Sequence, residues 1–129
     1  MMILADTSVW IGHFRGQEPG LAPLLKEGVV LTHPFVLGEL ACGNLSKREL
    51  TLAHLSSLPA AVHAQHEEAL QIVDKRKLWG AGIGWIDAHL IASALLSNCL
   101  LWTLDKQLRE AALQAGAKVL TPPAGSAVR

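Results

Sequence analysis

The sequence predicts an α/β fold in which a short, mostly parallel sheet is flanked by helices in a three-layer sandwich. Strand-length apolar runs alternate with helix-length amphipathic stretches along the 129 residues. The strand candidates are apolar throughout, which is typical of parallel strands covered on both faces. The length suits one domain. We therefore expect a single domain over residues 1–121 and a loose C-terminal tail over residues 122–129.

The first half of the chain predicts two strands and four helices from apolar spacing, with Pro34 in the first turn of the third helix. A helix N-cap is expected at Thr7 or Ser8. The predicted elements are a strand over Met2–Ala5, a helix over Val9–Arg15, a short helix over Leu21–Glu27, a strand over Val29–Leu31 and helices over Phe35–Cys42 and Lys47–Leu55.

The second half predicts three helices and two strands by the same criteria, with Gly80 ending the first of these helices. The helix around Ile86 is apolar almost all round, so it should lie inside the molecule. The predicted elements are helices over His63–Leu78 and Ile86–Leu96, a strand over Cys99–Leu104, a helix over Lys106–Gln114 and a strand over Lys118–Leu120.

Composition and charge exclude several classes of protein. Half of the residues are hydrophobic, which excludes a disordered chain. No apolar run reaches the roughly 18 residues of a membrane span, and the N-terminus lacks signal-peptide features, so we expect a soluble cytoplasmic protein with no membrane partner. Cys42 and Cys99 match no metal or redox motif and are predicted to be small buried residues. With 11 basic and 11 acidic residues, any nucleic-acid contact must be local or shared with a partner.

Four carboxylates occupy positions suited to a shared cleft. Asp6 and Asp105 directly follow apolar strand runs, and the carboxyl ends of parallel strands meet at one edge of a sheet. Asp87 opens the helix that precedes the second of these strands. Glu39 lies among apolar helix positions, where a lone ionised carboxylate is costly to bury. We predict that these side chains converge, with Glu39 largely buried.

Converging carboxylates repel one another, and binding Mg²⁺ or Mn²⁺, which prefer oxygen ligands, keeps them ionised at neutral pH. Such a site lowers the pKa of a bound water for attack on a phosphodiester. Ser8 and Thr103 are expected to add oxygen contacts or to orient waters. The structural alternative is that Asp6 and Asp105 only cap the helices that follow and that Asp87 only favours a helix dipole.

The sequence resembles the PIN-domain ribonucleases and, among them, the VapC toxins of prokaryotic toxin–antitoxin pairs. The order and spacing of the matching segments are specific, and the match runs along almost the whole chain. The segments are Leu4-Ala5-Asp6-Thr7-Ser8-Val9-Trp10, His33-Pro34-Phe35-Val36-Leu37-Gly38-Glu39-Leu40, Gly84-Trp85-Ile86-Asp87-Ala88-His89-Leu90 and Leu101-Trp102-Thr103-Leu104-Asp105-Lys106.

The resemblance implies a PIN-like sandwich and a metal-dependent endoribonuclease. It implies that Asp6, Glu39, Asp87 and Asp105 are the catalytic and metal-binding quartet, that Mg²⁺ or Mn²⁺ is the cofactor, and that single-stranded or looped RNA is cut. It also implies a homodimer and a cognate VapB-type antitoxin. The C-terminal segment of that antitoxin would cover the active site and bring a basic side chain among the carboxylates.

Three other functions remain open at the level of the residues. A phosphatase or phosphotransferase could use Asp6 as its nucleophile, but the usual second Asp is replaced by Ser8. A receiver-type signalling domain would need paired acids after the first strand, where only Asp6 occurs. A catalytically inactive scaffold that binds RNA or a partner through the same fold is the main alternative.

Further polar and aromatic groups have plain structural interpretations. His63 and His66, with Glu67, lack a third metal ligand and fit a surface helix. The four Trp invite base stacking but are more often core or interface residues, and Trp79 and Trp85 are predicted to be the most exposed. The basic run Lys75–Lys77 fits a solvated helix end, with RNA-backbone contact as the alternative.

Overall fold

The fold is built on a four-stranded sheet in which every neighbouring pair of strands is parallel. The structure, a computed structural model, describes residues 1–121, so the predicted tail over residues 122–129 lies outside the described residues. The strands lie in the order β2-β1-β3-β4. They are β1 (Ile3–Ala5), β2 (Val30–Leu31), β3 (Leu100–Trp102) and β4 (Lys118–Val119). The predicted parallel sheet is confirmed.

Seven helices flank the sheet within residues 1–121. Each predicted helix is present, with ends that differ by at most three residues, and the predicted bounds of the last helix are exact. The helices are α1 (Thr7–Phe14), α2 (Leu21–Lys26), α3 (Pro34–Ala41), α4 (Arg48–Ser57), α5 (His66–Lys75), α6 (Trp85–Ser97) and α7 (Lys106–Gln114).

The start of α5 lies three residues later than local periodicity predicted. A helix was predicted from His63, but Gln65 is the N-cap, and its backbone nitrogen donates to Glu68 Oε1 at 2.8 Å in a capping box. The preceding residues are extended, with Ala64 N donating to Ser93 Oγ at 3.2 Å. Tertiary contacts therefore hold this segment against α6 instead of letting it join the helix.

The core is formed by the sheet and the helices packed on it, and α6 is the most deeply buried of these helices. All seven residues from Ala88 to Ala94 are buried, which explains why this helix is apolar on every side. Cys99 is buried as predicted. Cys42 is exposed, so its predicted burial was wrong: α3 ends at Ala41, and Cys42 is the C-cap residue beyond the apolar face. In the described part of the chain, no helix has the length and apolar character needed to cross a membrane.

Candidate active site

Asp6 and Asp105 lie at the same edge of the sheet, as the sequence predicted. Ala5 at the end of β1 pairs in parallel with Trp102 at the end of β3, and Asp6 N donates to Trp102 O at 3.0 Å. The chain leaves both strands at this edge and enters α1 and α7. The parallel topology therefore brings together two carboxylates that are 99 positions apart in the sequence.

The Asp6 carboxylate is buried and fully engaged by donors. Ser8 Oγ donates to Oδ1 and Thr103 Oγ1 donates to Oδ2, each at 2.5 Å, and Val9 N donates to Oδ1 at 3.2 Å. Asp6 is thus the N-cap of α1, and the predicted cap at Thr7 or Ser8 was wrong. The Asp6 backbone is extended, with φ −79° and ψ 176°, and α1 begins at the next residue.

Two hydroxyl groups join the loop after β1 to the loop after β3. Thr103 Oγ1 accepts a hydrogen bond from Asp105 N at 3.0 Å while donating to Asp6. Ser8 Oγ accepts one from Leu104 N at 3.0 Å while also donating to Asp6. Ser8 and Thr103 therefore act on the site by fixing the orientation of the Asp6 carboxylate.

The Asp105 side chain is exposed and caps α7. Its Oδ1 accepts from Gln107 N at 2.9 Å and from Leu108 N at 3.3 Å. Asp6 and Asp105 therefore do cap the helices that follow them, as the structural alternative predicted. Capping and ligand binding are compatible here, because both cap bonds to Asp105 use the same oxygen atom.

Glu39 is exposed on α3, so its predicted burial was wrong. The buried side chains of this helix are Val36 and Leu40, and Glu39 lies outside that apolar face. Thr7 Oγ1 donates to Glu39 Oε1 at 2.6 Å. Thr7 was predicted only as a possible helix cap, and the one signal for its contact with Glu39 was its position directly after Asp6.

Asp87 is the electrostatic centre of the four carboxylates. Burial raises its pKa, and the negative charges of Asp105 and Glu39 raise it further, while a hydrogen bond from Gly84 N opposes the shift. Burial also raises the pKa of Asp6, against the hydrogen bonds from Ser8, Thr103 and Val9, and the charge of Asp87 adds to the rise. Asp87 thus interacts with all three others, and we call Asp6, Glu39, Asp87 and Asp105 the acidic cluster.

The donor chemistry of the acidic cluster fits a hard divalent cation. All four side chains are carboxylates, and a cation among them would relieve the repulsion that raises the pKa values of Asp6 and Asp87. Within residues 1–121, however, no three His, Cys, Asp or Glu side chains are arranged closely enough to enclose an ion as they stand. The side chains must approach one another to share a metal.

A second group of side chains lies beside the acidic cluster. Its rings contact one another with centroid separations of 4.7 Å for Trp85–His89, 4.8 Å for Phe35–His89 and 5.0 Å for His66–Trp85. His63 joins through Phe35 at 5.3 Å. We call these five residues, Phe35, His63, His66, Trp85 and His89, the histidine–aromatic array. Trp79 and Trp85 are exposed, as predicted, and Trp10 and Trp102 are buried.

The sequence model of the PIN domain matches residues 3–114 of the chain, a range that contains the whole acidic cluster. The chain belongs to the PIN-domain family. This PIN domain is 42% identical over 116 residues to proteins named ribonuclease VapC32 from two strains of Mycobacterium tuberculosis, CDC 1551 / Oshkosh and ATCC 25618 / H37Rv. In each comparison the match covers 89% of this chain and 94% of the relative.

A solved structure shares the fold of this PIN domain. The crystal structure of PAE2754 from Pyrobaculum aerophilum superposes with a TM-score of 0.57 at 18% sequence identity. The superposition covers 86% of this chain and 79% of that chain. This similarity supports the predicted PIN-like arrangement of a short parallel sheet flanked by helices.

Proposed function

We propose that this PIN domain is a metal-dependent endoribonuclease that acts as the toxin of a toxin–antitoxin pair. The observation that carries the proposal is the position of Asp6 and Asp105 at one edge of the parallel sheet, where Thr103 bonds to both residues and Asp87 is close enough to interact with each. Carboxylates that repel one another destabilise a folded protein, and a bound cation removes this repulsion. The 42% identity to proteins named ribonuclease VapC32 supports RNA as the substrate.

Asp6, Glu39, Asp87 and Asp105 are the residues that would hold Mg²⁺ or Mn²⁺. Such a cation supplies Lewis-acid stabilisation of the phosphoryl oxygens and lowers the pKa of a water that attacks the phosphodiester. The oxygen-only donor set favours these hard cations over zinc, which more often takes nitrogen or sulfur ligands.

The side chains of this domain provide the fixed geometry of the site. Ser8 and Thr103 hold both oxygens of Asp6 in one orientation. Thr7 orients Glu39 through Oε1. Preorganised groups of this kind reduce the reorganisation that reaction would otherwise require.

The proposal includes three partners. They are an RNA substrate with accessible single-stranded segments, a VapB-type antitoxin that covers the acidic cluster, and a second copy of this chain in a homodimer. The formal net charge is zero, so long-range attraction contributes little to RNA binding, and local contacts must supply the affinity. An RNA substrate agrees with the cytoplasmic location expected from the sequence.

Cleavage of total cellular RNA by the purified chain tests the proposal. Reactions contain Mg²⁺, Mn²⁺ or EDTA, and the variants are Asp6→Asn and a matched control, Glu67→Gln, which removes an exposed carboxylate from α5. We expect discrete fragments that require both the metal and Asp6 and that Glu67→Gln still produces. A folded chain that cuts no RNA under any of these conditions would instead support the inactive-scaffold alternative.

A further inference from the structure

The histidine–aromatic array takes no part in the proposed metal chemistry, yet three separate segments contribute to it. Phe35 comes from α3, and Trp85 and His89 come from the first turns of α6. His63 precedes α5, and His66 is the first residue of that helix. The rings meet mostly edge to face, with interplanar angles of 90° for Trp85–His89 and 70° for Phe35–His89. They form one continuous aromatic surface.

This surface is presented to solvent. His63 and His66 are exposed, and Trp85 is 39% exposed, whereas Trp10 and Trp102 retain 3% and 1% of their accessible surface. Trp85 therefore differs from the core tryptophans of the same chain. Two imidazoles, His66 and His89, contact its ring and fix its position while leaving part of it free.

The array lies directly beside the acidic cluster. Phe35 and Glu39 are four residues apart on α3, so they share one helix face about one turn, ~5.4 Å, apart. On α6, Trp85 and His89 are four residues apart and share one face, while Asp87, two residues from each, lies on a different face of the same first turns. A group bound on the array would therefore be a near neighbour of a phosphodiester bound at the acidic cluster.

His89 carries a polar atom that lacks a hydrogen-bond partner. The side chain is 3% exposed, and its Nδ1 has no partner among residues 1–121. Leaving a buried polar atom unpaired costs about 1–3 kcal/mol. This atom is closed off from the surface, so the ligand contacts come from the exposed rings of Trp85 and His66, which offer a flat aromatic face of the kind on which nucleobases stack.

We propose that the histidine–aromatic array binds an unpaired nucleobase of the RNA, next to the phosphodiester at the acidic cluster. Trp85 and His66 provide the stacking surface, and His89 supports the Trp85 ring through an edge-to-face contact with centroids 4.7 Å apart. The position of the scissile phosphate in this proposal rests on the proposed nuclease function. Bases of a duplex are already stacked, so the array selects single-stranded RNA.

Tryptophan fluorescence measures this binding without cleavage. In a Trp79→Phe background, Trp85 is the one exposed tryptophan, because Trp10 and Trp102 are buried. The probes, used in EDTA, are a single-stranded RNA of about ten nucleotides, the same RNA as a duplex, and an abasic ribose–phosphate oligomer of equal length. We expect the single strand to quench the fluorescence and the other two probes to leave it unchanged.

Substitutions separate stacking from a structural role. We expect Trp85→Ala and His66→Ala to weaken single-strand binding by about 5- to 100-fold, while Trp85→Phe retains most of it. The matched control is Trp79→Ala, which removes another exposed tryptophan from outside the array and should leave binding unchanged. In cleavage assays, Trp85→Ala should raise KM and leave kcat nearly constant, as expected for uniform binding. Thermal melting checks that each variant folds.

Several results would overturn the proposal. They are equal quenching by the abasic oligomer or the duplex, unchanged RNA binding by folded Trp85→Ala, or a change from dimer to monomer in Trp85→Ala, which would make this face a subunit contact. If Trp85→Ala cleaves RNA with an unchanged KM, the array does not bind a nucleobase, and the proposed nuclease function is unaffected. Quenching by single-stranded RNA without any metal-dependent cleavage would refute the nuclease and leave the array as an RNA-binding site.

Discussion

Thr103 and Asp6 form the contact that joins the two halves of the acidic site. Thr103 Oγ1 donates to Asp6 Oδ2 at 2.5 Å, and the two residues are 97 positions apart in the sequence. The same hydroxyl accepts from Asp105 N at 3.0 Å, so one buried side chain bonds to two of the acidic residues. The geometry of the site therefore depends on a residue that carries no charge.

Thr103→Val should reduce both activity and stability. The substitution keeps the shape of the side chain but leaves Asp105 N and one oxygen of Asp6 without their shared partner, which costs about 1–3 kcal/mol. We expect the free energy of unfolding to fall by that amount and kcat to fall about 10- to 100-fold. Urea denaturation and RNA cleavage measure the two effects. Thr103→Ser keeps the hydroxyl, and a loss as large as that of Thr103→Val would contradict this explanation.

Asp6→Asn should abolish cleavage and leave the fold intact. The Asn side-chain oxygen still accepts from Val9 N and preserves the cap of α1, while a buried charge with a raised pKa is removed. In EDTA we expect the free energy of unfolding to stay about constant, because removal of the buried charge offsets loss of the hydrogen bond that Thr103 donates to Oδ2. Chemical denaturation of both proteins checks this. An unfolded Asp6→Asn chain would show that the charge itself is structural.

Divalent cations should stabilise the native chain through the acidic cluster. A ligand at about 100 times its Kd adds about 2.7 kcal/mol, which raises the Tm of a domain of this size by roughly 10 °C. We expect this rise with Mn²⁺ or Mg²⁺, and we expect most of it to be absent from Asp87→Asn, which lacks the central charge. Differential scanning calorimetry measures both. An equal rise in Asp87→Asn would locate the cation elsewhere.

Thr7→Val should weaken metal binding with little effect on folding. The Thr7–Glu39 hydrogen bond is exposed, so its loss should change stability by less than about 0.5 kcal/mol. Glu39 becomes free to rotate, and ordering it again for the metal should lower Mn²⁺ affinity by about 3- to 10-fold. Calorimetric titration with Mn²⁺ measures this change. Thr51→Val, which removes the hydroxyl that bonds Ser46 O, is the matched control and should bind Mn²⁺ normally.

Stability should fall in acid because of His33. Burial, followed by the nearby His63 and His89, lowers its pKa from 6.5 to about 4 in the folded state. As the pH falls, the unfolded chain therefore binds a proton at His33 before the folded chain does. The contribution of neutral His33 is complete above pH 6.5, declines as the pH falls below it and is lost near pH 4. Its Nδ1 accepts from Phe35 N at 3.0 Å and caps α3.

The variant that checks the role of His33 is His33→Asn, which retains an acceptor for Phe35 N without a titrating ring. Urea midpoints measured between pH 7 and pH 4 should decline less steeply in this variant than in the native chain. The raised pKa values of Asp6 and Asp87 act in the opposite direction, because protonation at low pH relieves their repulsion. Identical pH profiles for the two proteins would exclude His33 as the source of the decline.

Periodicity and parallel-sheet topology were sufficient to predict the strands, the helices and the common edge of Asp6 and Asp105. They were not sufficient for Glu39, because its exposure depends on which face of α3 meets the core. The Thr7–Glu39 bond joins residues 32 positions apart, and local pattern carries no information about such a contact. The same holds for Trp85 and His66, which meet only after α5 and α6 have packed together.

The double use of Asp6 as helix cap and charged group has an evolutionary consequence. Alanine at position 6 would remove the cap of α1 and leave the hydroxyls of Ser8 and Thr103 without their acceptor. Asparagine keeps the cap, and an aspartate codon becomes an asparagine codon by a single base change. On the proposed function, a lineage can therefore lose RNA cleavage in one mutational step and still produce a folded chain.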